Sequence, residues 1–235
     1  MTLADAARSG TRPGMPDTAV PASRTRRLRG PVVFAALVGL ILLLVVPTVF
    51  LPTVLFPPDD PKLDDKGAIP DFTFTDHTGA VMTRASLEGH VTIVNFIFTR
   101  CDTVCPVTSM KMKTVQEKTF DVPDIKLMSI SVDPGHDTVE RLAAYAEKYA
   151  ADPRRWRFAR GEIAGVRDLV EKSMELGYDD LGGTSPSGAP NITHSGHFVL
   201  LDQRAHIRGY YDSDDWPLIE KLMKHARFLR RKPPR

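Results

Sequence analysis

The sequence predicts an α/β fold, a central sheet flanked by helices, preceded by an N-terminal single transmembrane helix. Three observations lead there. Residues 31–56, "PVVFAALVGLILLLVVPTVFLPTVLF", form one uncharged apolar run. From residue 67 onward, β-branched apolar runs alternate with amphipathic helical patterns, the order of a small α/β sandwich. Two closely spaced strand patterns and a last helix then finish the chain.

The apolar run exceeds the roughly 20 residues that cross a bilayer's hydrocarbon. It lacks the polar residues at helical spacing that a core helix shows, and it is longer than the ~7–15 residue apolar region of a cleaved signal peptide. Arg24, Arg26, Arg27 and Arg29 precede it, and Asp59 and Asp60 follow. Flanking cations stay on the cytoplasmic side, so the expected topology is single-pass in the cell membrane, N-terminus cytoplasmic and C-terminal domain extracytoplasmic. Pro47 and Pro52 are expected to kink or end the helix near its far side. Residues 1–30 read as a disordered tail, 57–66 as an acidic, proline-stiffened linker, 67–229 as the folded domain and 230–235 as a basic tail. The net charge of +2, with no dense basic stripe in the domain, argues against nucleic acid as a partner.

Within the domain, residues 71–76 alternate as a strand and end in the turn "HTGA". Residues 91–98, "VTIVNFIF", are apolar throughout, as a buried central strand requires. Residues 125–133 repeat that pattern. A helix follows, opened by the capping-box spacing of Asp137 and Glu140. "RWRFA" reads as a short strand, residues 163–176 as a helix and residues 177–191 as a Gly/Ser/Pro-rich loop. "HFVLLD" and "HIRGYYD" form a hairpin through the turn "DQRA", and residues 215–229 form the last helix. Trp156 and Trp216 read as packing residues.

Cys101 and Cys105, the two cysteines of the chain, directly follow the central strand. Pro106 comes next and favours a helix start. The helix is expected to pack through Val107, Met110 and Val115. Cys105 then lies near a helix N-terminus, where an anion is favoured and a thiolate is expected to form at lowered pKa. A structural disulfide, a redox pair and a soft-metal site each fit this spacing, although so short a loop gains little stability from cross-linking. Outside the cytoplasm, paired cysteines are chemically consequential.

The stretch "FTRCDTVCP" resembles the CxxxCP motif of the Sco/SenC family, membrane-anchored proteins of thioredoxin-like fold that bind copper and serve cytochrome c oxidase assembly. "FTFTDHTGAVMTRASLEGHVTIVNFIFT", "SISVDPGHDTVERLAAYAEKY" and "HSGHFVLLD" extend the resemblance over roughly residues 67–216. It implies Cys101, Cys105 and His194 as metal ligands, the histidine lying eight residues before Asp202, with Asp133 bracing the site from behind. His197 competes for the ligand role but falls at the start of a strand, and the other histidines read as solvated. Two thiolates and an imidazole suit copper, as Cu(I) and also Cu(II).

The resemblance further implies a metallochaperone that delivers copper to the dinuclear copper site of cytochrome c oxidase, with the metal's donor left open. The alternative is a membrane-tethered thiol–disulfide oxidoreductase using Cys101 and Cys105 as its redox pair, although CxxxC stands where thioredoxins carry CxxC. A peroxiredoxin is disfavoured, since its PxxxTxxC arrangement is absent. Three departures stand out. Thr193 occupies a position where many members have aspartate, Gln203 replaces a proline and should affect the turn alone, and Arg100 is placed to stabilise thiolates.

Overall fold

The computed structural model describes residues 30–55, 60–101, 104–173, 178–184, 190–194 and 196–232, with backbone alone at 31, 49–55, 172–173, 178–184 and 190–194. The chain divides into two compact units, Met1–Asp59 and Asp60–Arg235.

In the first unit, helix α1 spans Gly30–Leu55 and continues through Pro47 and Pro52, without ending at either. Its large apolar side chains from Val32 to Val46 are exposed on every side. Among the described residues, no helix is long and apolar enough to cross a membrane.

The second unit is built on a seven-stranded sheet of order β2-β1-β5-β4-β3-β8-β9. Its strands are β1 (Thr73–Asp76), β2 (Val81–Thr83), β3 (Val91–Ile97), β4 (Ile125–Ser131), β5 (Trp156–Arg160), β8 (His197–Leu201) and β9 (Ile207–Asp212). β3, β4 and β5 are parallel neighbours, while β1 joins β5 and β8 joins β3 antiparallel. Every residue of β3 is buried, which explains its unbroken apolar reading. The helices are α2 (Val104–Lys118), α3 (Val139–Lys148), α4 (Ile163–Arg167) and α5 (Trp216–Arg231). The expected mixed α/β fold, a central sheet flanked by helices, is present.

Several local readings change. Helix α3 is capped by Thr138, whose side chain accepts from the Arg141 N–H at 3.3 Å, so Asp137 is released from the capping role. Helix α4 is short and passes into a wider turn at Asp168–Ser173. The loop read at 177–191 contains a two-stranded hairpin, β6 (Tyr178–Thr184) with β7 (Pro190–His194). Helix α2 is rotated from its expected face. Val107 and Met110 are exposed, whereas Thr108, Ser109, Met112 and Val115 are buried. Trp156 is fully buried, but Trp216 is partly open, with Lys118 over its ring. Gln203 does more than shape a turn, since its Nε2 donates to the Leu229 carbonyl at 2.6 Å and caps the end of α5.

Just past the Tyr149 cap of helix α3, Ala150 has a left-handed φ of 52°, and the Ala151 N–H closes back on the Ala146 carbonyl. Glycine is the residue such a cap favours. Ala150→Gly is therefore expected to raise stability by about 1 kcal/mol, the size of the Cβ penalty there, read as a higher urea midpoint at unchanged slope.

Candidate metal centre

The cysteines lie where β3 and β4 present their carboxyl ends, the edge at which open α/β sheets place ligands. Val132 N–H donates to the Ile97 carbonyl at 2.9 Å and holds the two strand ends in register. The chain leaves β3 through a tight turn, in which the Cys101 N–H donates to the Phe98 carbonyl at 3.2 Å. Helix α2 begins three residues later. Pro106 falls in its first turn, where a missing N–H breaks no helical bond.

Neither cysteine is in a disulfide; Cys101 is half-buried and Cys105 buried. The Cys105 backbone N–H donates to the Cys101 Sγ at 3.4 Å, so the first sulfur sits over the open start of α2. The expected lowering of the thiol pKa does not hold at Cys105. Its hydrogen bond with Cys101 pushes the thiol well above its ordinary value, and burial and the charges of Cys101 and Asp137 add to the rise. The neighbouring sulfur first, and burial second, raise the thiol despite its place in the first turn of α2.

Two carboxylates brace this turn from β4. Asp133 accepts from Arg100 Nε at 2.7 Å, which ties the residue before Cys101 to the residues after β4. Arg100 therefore spends that contact on Asp133. Asp137 is wholly buried. It accepts from the Thr99 N–H at 3.2 Å, the Thr99 hydroxyl at 2.5 Å and the Ser131 hydroxyl at 2.5 Å. Burial raises its pKa, the Ser131 and Thr99 hydrogen bonds oppose that, and the Asp133 charge adds to the rise. Behind α2, the Ser109 hydroxyl meets the Tyr145 hydroxyl at 3.1 Å, and burial raises the pKa of that tyrosine.

Of the residues singled out in the sequence, Cys101, Cys105, Asp133 and Arg100 share this one corner. Asp137 belongs with them and was misread as a helix cap; the buried strand leading to Ser131 was the available signal. His194 ends β7 opposite Tyr178, and its side chain lies outside the described residues. His197 begins β8, as its register implied. Of the five histidines read as solvated, three are engaged elsewhere: His77 Nδ1 accepts from the Phe158 N–H, His206 meets Asp65 and His225 meets the Tyr211 hydroxyl. Among the described residues, no group of three or more His, Cys, Asp or Glu side chains is placed to hold a metal ion. Two soft sulfurs held together nonetheless fit a soft monovalent ion better than a hard one.

The chain matches the SCO1/SenC family over residues 61–228. It is 30% identical over 132 residues to the SCO1 protein homolog of Bacillus subtilis, an alignment covering 55% of this chain and 66% of that protein. The chain thus spans just under two thirds of that relative's length. Among solved structures it resembles BsSco, described as showing a disulfide switch and as a member of the Sco family of cytochrome c oxidase assembly proteins. There the identity is 26% and the TM-score 0.57, with 72% of this chain and 96% of that one covered. The copper-bound ScoI of Bradyrhizobium japonicum shares the fold at 22% identity and a TM-score of 0.56, over 68% of this chain and 99% of that one. The sheet, the cysteine turn at its carboxyl edge and the match over most of the domain converge: the chain belongs to the SCO1/SenC family, and its domain has that family's thioredoxin-like fold.

Proposed function

We propose that this protein is a copper metallochaperone that takes up Cu(I) through Cys101, Cys105 and His194 and delivers it to the dinuclear copper site of cytochrome c oxidase. The observation that carries the reading is the pair of cysteine sulfurs, not joined in a disulfide, brought together at the start of α2 in a chain of this family. Loading replaces two thiol protons by one copper ion: the Cys101 and Cys105 S–H bonds break, two Cu–S bonds form and two protons pass to solvent. Affinity therefore rises with pH. The imidazole supplies a neutral third donor, and a three-donor shell leaves room for an acceptor's ligand to enter. Asp133, through Arg100, and Asp137, through Thr99, fix the turn that carries the sulfurs. Helix α1 serves as an extracytoplasmic domain's membrane anchor, and the tether keeps the domain near a membrane-bound recipient at high effective concentration.

A competition titration of the reduced full-length chain with Cu(I) and a chromogenic chelator tests the ligand set. His194→Ala is expected to weaken binding by about 10–100-fold, the scale on which metal-site residues act. An unchanged constant removes His194 from the site.

A second reading, a membrane-tethered thiol–disulfide oxidoreductase acting on oxidase-subunit cysteines or other exported clients, is favoured by the unequal exposure of the two sulfurs. One accessible attacking thiol and one sheltered resolving thiol are what exchange through a mixed disulfide uses. Reduction of an oxidised client peptide by the metal-free protein distinguishes it from carriage alone.

A further inference from the structure

Helix α2 leaves an apolar face in solvent beside the cysteines. Val104, Val107 and Met110 are 46%, 48% and 53% exposed. Their spacing of three residues keeps them within about a third of the helix circumference over about 9 Å of its length. The face starts at Val104; the next residue, Cys105, donates its N–H to the Cys101 Sγ. Scattered apolar residues on a surface are ordinary, whereas adjoining ones at the edge of a reactive site mark a contact surface.

The face is also uncharged. Residues 104–110, "VCPVTSM", carry no ionisable side chain besides Cys105. Of the flanking charges with described side chains, Arg100 is paired with Asp133 at 2.7 Å and Lys111 with Asp214 at 2.9 Å. The core side of α2 is already filled by Thr108, Ser109, Met112 and Val115, and Lys118 lies over the Trp216 ring at its far end. What stays open has the make-up of the centre of a protein–protein contact, apolar with a methionine and depleted of charge.

Its place in the fold selects the occupant. The chain coming from α1 meets the core at Leu63 and is then pinned along β9. There the Lys66 N–H donates to the Ile207 carbonyl, the Ile207 N–H to the Gly67 carbonyl and the Ile69 N–H to the Ala205 carbonyl. This is the amino end of β3, because Thr92 pairs with Leu201 at the end of β8 and the Gly89 N–H donates to the Gln203 carbonyl. The cysteines follow the carboxyl end of β3, about 20 Å of strand away. The apolar face thus lies at the end of the sheet away from the incoming chain, a poor place for insertion into the bilayer of the proposed anchor and a good one for a second protein. Any protein that takes an ion from Cys101 comes within bonding distance of its sulfur, and so lies against the first turns of α2. Resting on the carrier reading above, we propose that Val104, Val107 and Met110 form the docking surface for the protein that receives the copper, through an apolar, uncharged rim around that recipient's own copper ligands.

Stopped-flow transfer from the reduced, Cu(I)-loaded full-length chain in a non-ionic detergent tests this with two recipients in parallel. One is the metal-free dinuclear-copper domain of the same organism's cytochrome c oxidase, the other a chromogenic chelator small enough to need no docking. Val107→Gln combined with Met110→Gln is expected to slow transfer to the domain by at least about tenfold, the scale on which one buried apolar side chain contributes. Transfer to the chelator and the Cu(I) binding constant should keep their parent values, which also shows that the variant is folded. Phe120→Gln, which removes an exposed ring just beyond the other end of α2, should leave both rates unchanged. A double variant that serves the domain as fast as the parent overturns this proposal and leaves the carrier reading standing. A parent that binds no Cu(I), or passes none to the domain, overturns the carrier reading and this proposal with it. A parent that sediments as a dimer while the double variant is monomeric assigns the face to a second copy and overturns the recipient as its occupant.

Discussion

Cys101→Ser combined with Cys105→Ser is expected to lower Cu(I) affinity by at least about a thousandfold, or about 4 kcal/mol. Each substitution exchanges a soft sulfur for a hard oxygen, which Cu(I) discriminates against strongly. The single variants should differ in kind. Cys101 is half-buried and packs only partly on the core, whereas Cys105 is buried completely. Cys101→Ser should therefore cost binding with little loss of stability. Cys105→Ser also places a hydroxyl in the core and should destabilise the fold by about 1–3 kcal/mol if that group finds no partner. Chelator competition and urea unfolding on the same samples separate the two effects. Copper binding that survives the double replacement would refute the assigned sulfurs.

Asp137→Ala is expected to cost about 3 kcal/mol of stability, because it orphans the half-buried Thr99 N–H and removes the partner of the Thr99 hydroxyl and the buried Ser131 hydroxyl. Thr99 lies two residues before Cys101, so the same change should loosen the turn and weaken Cu(I) binding by about 10–100-fold. Asp137→Asn gives a sharper test. The folded-state pKa of Asp137 is raised, chiefly by burial. Its contribution to stability is thus full below the unfolded-state value and declines as pH rises through the folded one. Asparagine does not titrate, so the asparagine variant should gain on the parent as pH increases across that interval. A stability difference that stays flat with pH would mean that the carboxylate is not desolvated as described.

How much of this was legible in the sequence depended on whether burial and local chemistry agreed. β3 and β4 were readable because strands covered on both faces have one requirement, apolar bulk. Their lengths followed from where the apolar residues stop. The hairpin of β8 and β9 was readable from the short turn between two strand-like runs, where Asp202 accepts from the Arg204 and His206 N–H groups.

Helix α2 was misread because its buried face is partly polar. Thr108 satisfies its hydroxyl on the Cys105 carbonyl and Ser109 on Tyr145, so hydropathy alone pointed to Val107 and Met110. Asp137 was hidden for a similar reason. Its spacing to Glu140 fits a capping box, and only the tertiary structure shows that Thr138 takes the cap. The hairpin of β6 and β7 was illegible because "LGGTSPSGAP" has the composition of a loop, and no alternation of polar and apolar residues marks the pairing. The cysteine pair was legible as a unit, but its proton affinity was not, since the helix start and the burial act in opposite directions and sequence gives only the first.

The unequal setting of the two sulfurs imposes an order on events. A visiting ligand meets Cys101 first, because Cys105 is closed off beneath it. If copper is carried as proposed, Cys101 is the sulfur an acceptor's ligand would reach first. Under that proposal, transfer is expected to pass through a bridged pair of proteins, with the ion shared between them.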